Sequence, residues 1–282
     1  FSAQRATEGL RMLLWGAFLK IVIADRLSLY VNDIANYIDI ADGSSLLSMA
    51  FFYSFQIYSD FAGYSLMAIG TAKVVGFDLP DNFRRPYLSV SITEFWRRWH
   101  ISLSLWLRDY IYISLGGNRC SRWRKYVNIT TTFIVSGLWH GANYTLLAWG
   151  LLHGMFQCIE KALGLNKEYT GHKLLKAIRI ATTFSIVTIL WIVFRMPTLS
   201  DVWTVFVHIA TTTDFHLVMP EKYVIILLAI AIIKDLIDEY YPQYDMLYHR
   251  SLIVRWTSYV LLAMSIILFG VFDSGQFIYA KF

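Results

Sequence analysis

The sequence predicts an all-α protein, a polytopic transmembrane helical bundle with re-entrant and interfacial helices. Hydrophobic residues make up 56% of the chain and aromatic residues 17%, and the charges gather between long apolar runs. That pattern fits a membrane domain, since soluble helices and strands keep one polar face. Predominantly apolar windows of near-spanning length recur at 46–77, 126–159, 175–194, 223–237 and 253–272. Glycine or polar side chains interrupt several of them, which is tolerated at membrane depth where the backbone is packed inside protein.

The formal charge of +5 does not indicate nucleic-acid binding, because the basic residues border apolar runs and form no continuous stripe. Arg119, Arg122, Arg124 and Lys125 fall in one loop without an acid, which places that loop on the cytoplasmic side. Cys120 and Cys158 have no paired spacing, so neither a disulfide nor a zinc site is expected. No HExxH, Walker-type glycine loop or GxGxxG is present, and no metal site is expected. The chain reads as a single membrane domain over 1–282. It opens at Phe1 without a methionine or a signal peptide, and is expected to be the later part of a longer protein.

Residues 9–31 form an apolar segment broken by Lys20, Asp25 and Arg26, suited to an interfacial or partly buried helix. Asp39 to Ser45 is a polar turn. Beyond it Tyr53, Gln56, Asp60 and Tyr64 share one helical face at spacings of three and four. Asp60 must then face the bundle interior, either bonding two helices together or supporting the reacting centre.

The two prolines and arginine pair of DLPDNFRRPY (78–87) predict a surface loop, extended before Pro86. Ser91 and Glu94 make a capping box, with Val90 and Phe95 as its staple, so a helix starts there and runs to Gly116 and Gly117. Arg97, His100, Ser104 and Arg108 form its polar stripe, amid Trp96, Trp99, Leu103 and Trp106. Such a helix lies at the cytoplasmic boundary or enters the membrane part-way. Arg97, Arg98 and Arg108 are the candidates for binding an anionic donor, against the simpler role of interfacial anchors.

The chain centres on IVSGLWHGANYTLLAWGLLHG (134–154), apolar enough for a bilayer yet carrying His140 between Trp139 and Gly141. An ionisable side chain in such a place is costly and marks a functional site by default. If the stretch is helical, Ser136 and Asn143 share the face of His140 and can fix its tautomer. His153, thirteen residues on, points to roughly the opposite side and ranks below it. Beyond this stretch, 160–176 reads as a loop, 175–194 as a span closed by Arg195 and Pro197, and 199–209 as a short interfacial helix. A charged aromatic loop covers 234–250, and the last helix ends near Asp273. His172, His208, His216 and His249 fall in polar or boundary segments and are expected to be solvated.

NFRRPYLSVSITEFWRRWHISLSLWLRDYIYISLGGNR followed by SGLWHGANYTLLAWGLLHG resembles the bacterial branch of the membrane-bound O-acyltransferase family, which includes proteins of alginate and peptidoglycan acetylation and of teichoic acid D-alanylation. The similarity begins near FQIYSDFAGYSLMAIG, covers the core motifs over 55–154, and echoes in WIVFRMPTLSDV. Leu66 stands where the alginate-type pattern often has an acid. By position, the resemblance places the family histidine on His140 and the second histidine of the bacterial branch on His100. It implies a multi-pass protein of the bacterial cytoplasmic membrane, moving an acyl group, acetyl above all, from a cytoplasmic donor to an exported or cell-wall polysaccharide. It implies no tightly bound cofactor, an acetyl-CoA or acyl-carrier protein donor as substrate, membrane lipid around the helices, and an extracytoplasmic acyltransferase as partner.

Acyl transfer to a hydroxyl needs a base for the proton and stabilisation of charge on the acyl oxygen. A neutral imidazole in apolar surroundings suits the first task, so His140 is expected to be the general base, worth about a hundred- to ten-thousandfold in rate. Asn143 or the Trp139 indole N–H would donate to the oxyanion or orient the ring, and His100 would assist proton transfer or bind the donor. No serine or cysteine sits in a nucleophile setting, which favours direct transfer over a covalent intermediate. The competing readings are D-alanyl transfer to teichoic acid, a proton or solute transporter, and a non-catalytic scaffold with His140 as a packed core residue.

Overall fold

The computed structural model describes residues 2–212 and 216–272, and every regular element among them is helical. The described chain divides into two compact units, one built from residues up to 81 together with 216–272, the other from 82–212.

The first unit opens with α1 (Ala3–Ala17), a wider π-helical turn over Phe18–Ala24, and α2 (Asp25–Ala35). The long α3 (Gly43–Val75) follows. Asp42 caps it by accepting from the Ser44 and Ser45 amides, and Gly76 ends it at φ +109°. Helices α1 and α3 approach as closely as backbones allow. A Cβ at Gly9 would sit 2.5 Å from the Gly70 carbonyl oxygen, and one at Gly16 would sit 2.6 Å from that of Gly63. Just beyond this glycine seam Lys20 is 4% exposed and ion-pairs with both Asp25 and Asp60. Asp60 thus joins α3 to the π-helical turn, the helix-bonding role. The unit is completed by α10 (Lys222–Tyr240) and α11 (Leu252–Phe269); Asp273 lies outside the described residues.

The second unit holds α4 (Ile92–Arg98), α5 (Ile101–Leu107), α6 (Arg122–His140), α7 (Tyr144–Leu163), α8 (Lys173–Arg195) and α9 (Leu199–Thr211). Two described helices, Lys173–Arg195 and Leu252–Phe269, are long and apolar enough to cross a membrane. The window at 46–77 is a single helix of sufficient length, but Gln56, Asp60 and a series of serines dilute its hydropathy. The window at 126–159 is two helices.

The structure corrects five expectations. The charged loop expected over 234–250 begins only after α10 ends at Tyr240. The stretch 134–154 is a hairpin, with α6 ending at His140, Gly141 at φ +151°, and α7 starting after Asn143. Glycines make the hairpin tight: a Cβ at Gly137 would lie 2.3 Å from the Leu146 carbonyl oxygen, and one at Gly150 would lie 2.3 Å from that of Phe133. The helix expected from Ser91 to Gly116 breaks at Trp99 and His100, with His100 left-handed at φ +44°. Arg85 is left-handed at φ +47° instead of extended, because the chain turns at once into Pro86–Leu88, with the Leu88 amide bonded back to the Arg85 carbonyl at 3.1 Å. The expected loop from Glu160 starts only after α7 has continued to Leu163 and stopped at Gly164.

Candidate active site

The break at His100 is built by the loop before it. The Asn82 carbonyl accepts the Ile101 amide at 3.0 Å, and the Arg98 carbonyl accepts the Arg84 amide at 2.9 Å, so backbone groups released by the break find partners. Asn82 Oδ1 accepts the Ser102 amide at 3.2 Å and the Ser102 hydroxyl at 3.0 Å. A backbone amide only donates, so the atom facing it must be the oxygen. His100 Nδ1, 3.2 Å from the same oxygen, therefore carries the proton, and Nε2 holds the lone pair in the neutral ring.

Upstream, Ser91 accepts the Glu94 amide at 3.0 Å, as half of the capping box. The other half is replaced: the Glu94 carboxylate takes the Val90 amide at 2.9 Å and pairs with Arg98 at 2.7 Å. Glu160, from α7, accepts the Ile92 and Thr93 amides and so pins the start of α4 to α7.

His140 is 2% exposed, at the last turn of α6. Its ring meets Trp139, Trp149 and Phe194 edge-on at centroid distances of 5.0, 5.4 and 5.3 Å. His100 and His140 lie within electrostatic reach of one another, and the Trp139 ring contacts both, 6.0 Å from His100. The hairpin also brings His153 to this cluster, contrary to the opposite-side expectation, with its ring 4.9 Å from that of Trp149. His153 is fully buried, and its Nδ1 accepts the Trp96 indole N–H at 3.1 Å. Indole nitrogen only donates, so the basic nitrogen of His153 is already used.

Two supporting roles change. Asn143 does not bond to the His140 ring. It caps α7 by accepting the Thr145 amide at 3.2 Å, and its Nδ2 donates to the Pro197 carbonyl at 2.9 Å, because the turn takes it off the helix that carries His140. Ser136 keeps its place one turn before His140, but its hydroxyl makes no hydrogen bond among the described residues.

A cavity of about 440 Å³ runs beside α6. Ile129, Thr132, Phe133 and Ser136 form its wall along that helix, a run of about 10 Å at 1.5 Å per residue. Trp96 of α4 faces it too, and Arg97, Arg108 and Lys161 supply cations. Arg98 is not among the lining residues; its guanidinium is held by Glu94 and the Arg84 carbonyl. Lys161 was not singled out from sequence, since it falls where a loop was expected. It donates to Asn118 Oδ1 at 3.2 Å, within the basic connection before α6.

The model of the membrane-bound O-acyltransferase family matches residues 4–196. The chain belongs to the membrane-bound O-acyltransferase family. It is 44% identical over 205 residues to the probable alginate O-acetylase AlgI of Pseudomonas aeruginosa, a match covering 73% of this chain and 39% of that protein. It is 38% identical over 200 residues to the peptidoglycan O-acetyltransferase of Helicobacter pylori, covering 68% of this chain and 37% of that protein. With the teichoic acid D-alanyltransferase of Streptococcus thermophilus it shares 32% over 177 residues, covering 56% and 42%. The chain thus spans about two fifths of the length of these O-acyltransferase relatives.

Proposed function

We propose that this chain carries the reacting centre of a membrane O-acyltransferase that moves an acyl group, acetyl in the best-supported case, onto a hydroxyl of an exported or cell-wall polysaccharide. The observation that carries the reading is the buried His140 at the end of α6, one turn beyond a cavity that follows the same helix back towards the basic connection at 118–125. A loop rich in Arg and Lys belongs on the cytoplasmic face. The cavity then serves a cytoplasmic thioester donor, acetyl-CoA or an acyl-carrier protein, with Arg97, Arg108 and Lys161 meeting its phosphate and Trp96 and Phe133 flanking its arm.

His140 acts as general base. It takes the proton from the acceptor hydroxyl as the oxygen bonds to the acyl carbon, the carbon–sulfur bond breaks, and the departing thiolate takes the proton back from the imidazolium. His100, with its lone pair on Nε2, assists proton transfer or holds the donor. Names of the relatives support acetyl over D-alanyl transfer, because the alginate O-acetylases match at the higher identity. The whole protein is a multi-pass protein of the bacterial cytoplasmic membrane that works with an extracytoplasmic acyltransferase.

The test is full-length protein in proteoliposomes given labelled acetyl-CoA and an oligosaccharide acceptor. Label appearing as ester on the acceptor supports the reading. Proton or solute flux without ester formation supports the transporter reading instead.

A further inference from the structure

We infer that the Ser136 hydroxyl is the hydrogen-bonding contact for the thioester end of the acyl donor; the inference rests on the acyltransferase reading above. Ser136 is fully buried, it lines the cavity beside α6, and its Oγ bonds to nothing among the described residues. Serine inside a helix has an internal option, the carbonyl four residues back. Thr132, one turn earlier on the same wall, takes that option and donates to the Asn128 carbonyl at 2.7 Å. The other wall hydroxyls are also spent within the protein: Ser104 donates to the Trp99 carbonyl at 3.3 Å, and Thr93 donates to Glu160 at 3.0 Å. Of these four hydroxyls, only that of Ser136 makes no hydrogen bond among the described residues.

A buried polar group without a partner is expensive, and a bound ligand is what repays it. The position says which part of the ligand. Cations lie at Arg97, Arg108 and Lys161, aromatic faces lie at Trp96 and Phe133, and Ser136 sits on the helical face of His140, about 6 Å from it. A phosphate-bearing arm that enters by the cations reaches Ser136 with its last polar group before the imidazole. In an acyl thioester that group is the thioester carbonyl or the amide beside it, and a hydroxyl can donate to the one or accept from the other.

The test uses purified full-length protein, wild type and Ser136→Ala, with acetyl-CoA as donor probe and a soluble oligosaccharide as acceptor. Because the hydroxyl has no internal bond to lose and its burial is costly, Ser136→Ala is expected to fold and to melt at or above the wild-type temperature, while kcat/KM for acetyl-CoA falls about tenfold. A second variant, Ser136→Cys, reads the site without turnover: a small thiol reagent labels position 136, followed by peptide mass spectrometry, and acetyl-CoA slows that labelling. Wild-type transfer with Ser136→Ala kinetics unchanged, or labelling unaffected by acetyl-CoA in an active preparation, overturns the assignment of Ser136 alone. Wild type inert with acetyl-CoA, with labelling at position 136 insensitive to it, overturns the donor reading and this assignment together.

Discussion

Trp96 donates its indole N–H to Nδ1 of His153 at 3.1 Å, wholly inside the second unit. The bond fixes His153 as the tautomer protonated on Nε2 and removes its lone pair from chemistry. It also locks Trp96 as a wall of the cavity. His153→Leu leaves a buried indole N–H without an acceptor and is expected to cost about 1–3 kcal/mol. His153→Asn, which presents an oxygen near the same place, is expected to recover most of that loss and retain acyl transfer. Thermal melts of the purified full-length variants check this; equal destabilisation by both substitutions would contradict it.

The second prediction separates strain from chemistry at His100. A non-glycine residue held at φ +44° pays roughly 1–2 kcal/mol of local strain. His100→Gly removes the strain together with the imidazole. Its melting temperature is expected to match or exceed that of wild type while transfer drops at least tenfold, a loss of about 1.4 kcal/mol of transition-state stabilisation. Unchanged transfer in His100→Gly would remove His100 from the mechanism.

Hairpin geometry gives a third. The backbone oxygens facing Gly137 and Gly150 cannot yield to a methyl group. Gly137→Ala or Gly150→Ala is therefore expected to pry α6 from α7 at a cost of about 1–3 kcal/mol or more, read as reduced abundance in membranes and lower melting temperature. Gly164→Ala should do less: no atom lies within 4 Å, and only its φ of +70° is unfavourable.

A fourth concerns acid. Burial pushes the Asp42 carboxyl up, but hydrogen bonds from the Ser44 and Ser45 hydroxyls and amides outweigh it and hold the group down at about 2. A depressed carboxyl stabilises the fold above its unfolded value of about 3.9, and that contribution fades as pH falls towards 2. Asp42→Ala is expected to cost about 1 kcal/mol at neutral pH through the lost cap. The gap between wild type and variant should close between about pH 4 and pH 2 in denaturation of purified protein.

The family, the all-helical class and the start of α4 at Ser91 were legible in the sequence. Each is written in local patterns: a run of motifs, apolar periodicity, a cap. What escaped it depends on distant partners. The break at His100 is stabilised by Asn82, eighteen residues earlier, and helix periodicity alone runs straight through it. Asn143 reads as a helical neighbour of His140 until the turn at Gly141 hands it to α7. Lys161 and Glu160 sit at the far end of α7, and only the folding back of the hairpin brings one to the cavity and the other to α4. Asp60 showed in sequence as an interior acid, but its partner Lys20, forty residues earlier, did not.

The central claim is that His140 is the base. It is tested most directly by the ester-linked acyl content of cell-envelope glycans in cells expressing full-length protein or His140→Gln, at membrane levels matched by blot. Glutamine keeps size and polarity but cannot take the proton, so esters are expected to fall at least a hundredfold at equal abundance. Esters unchanged from wild type would contradict the claim and leave His140 as a packed core residue of a scaffold or transporter.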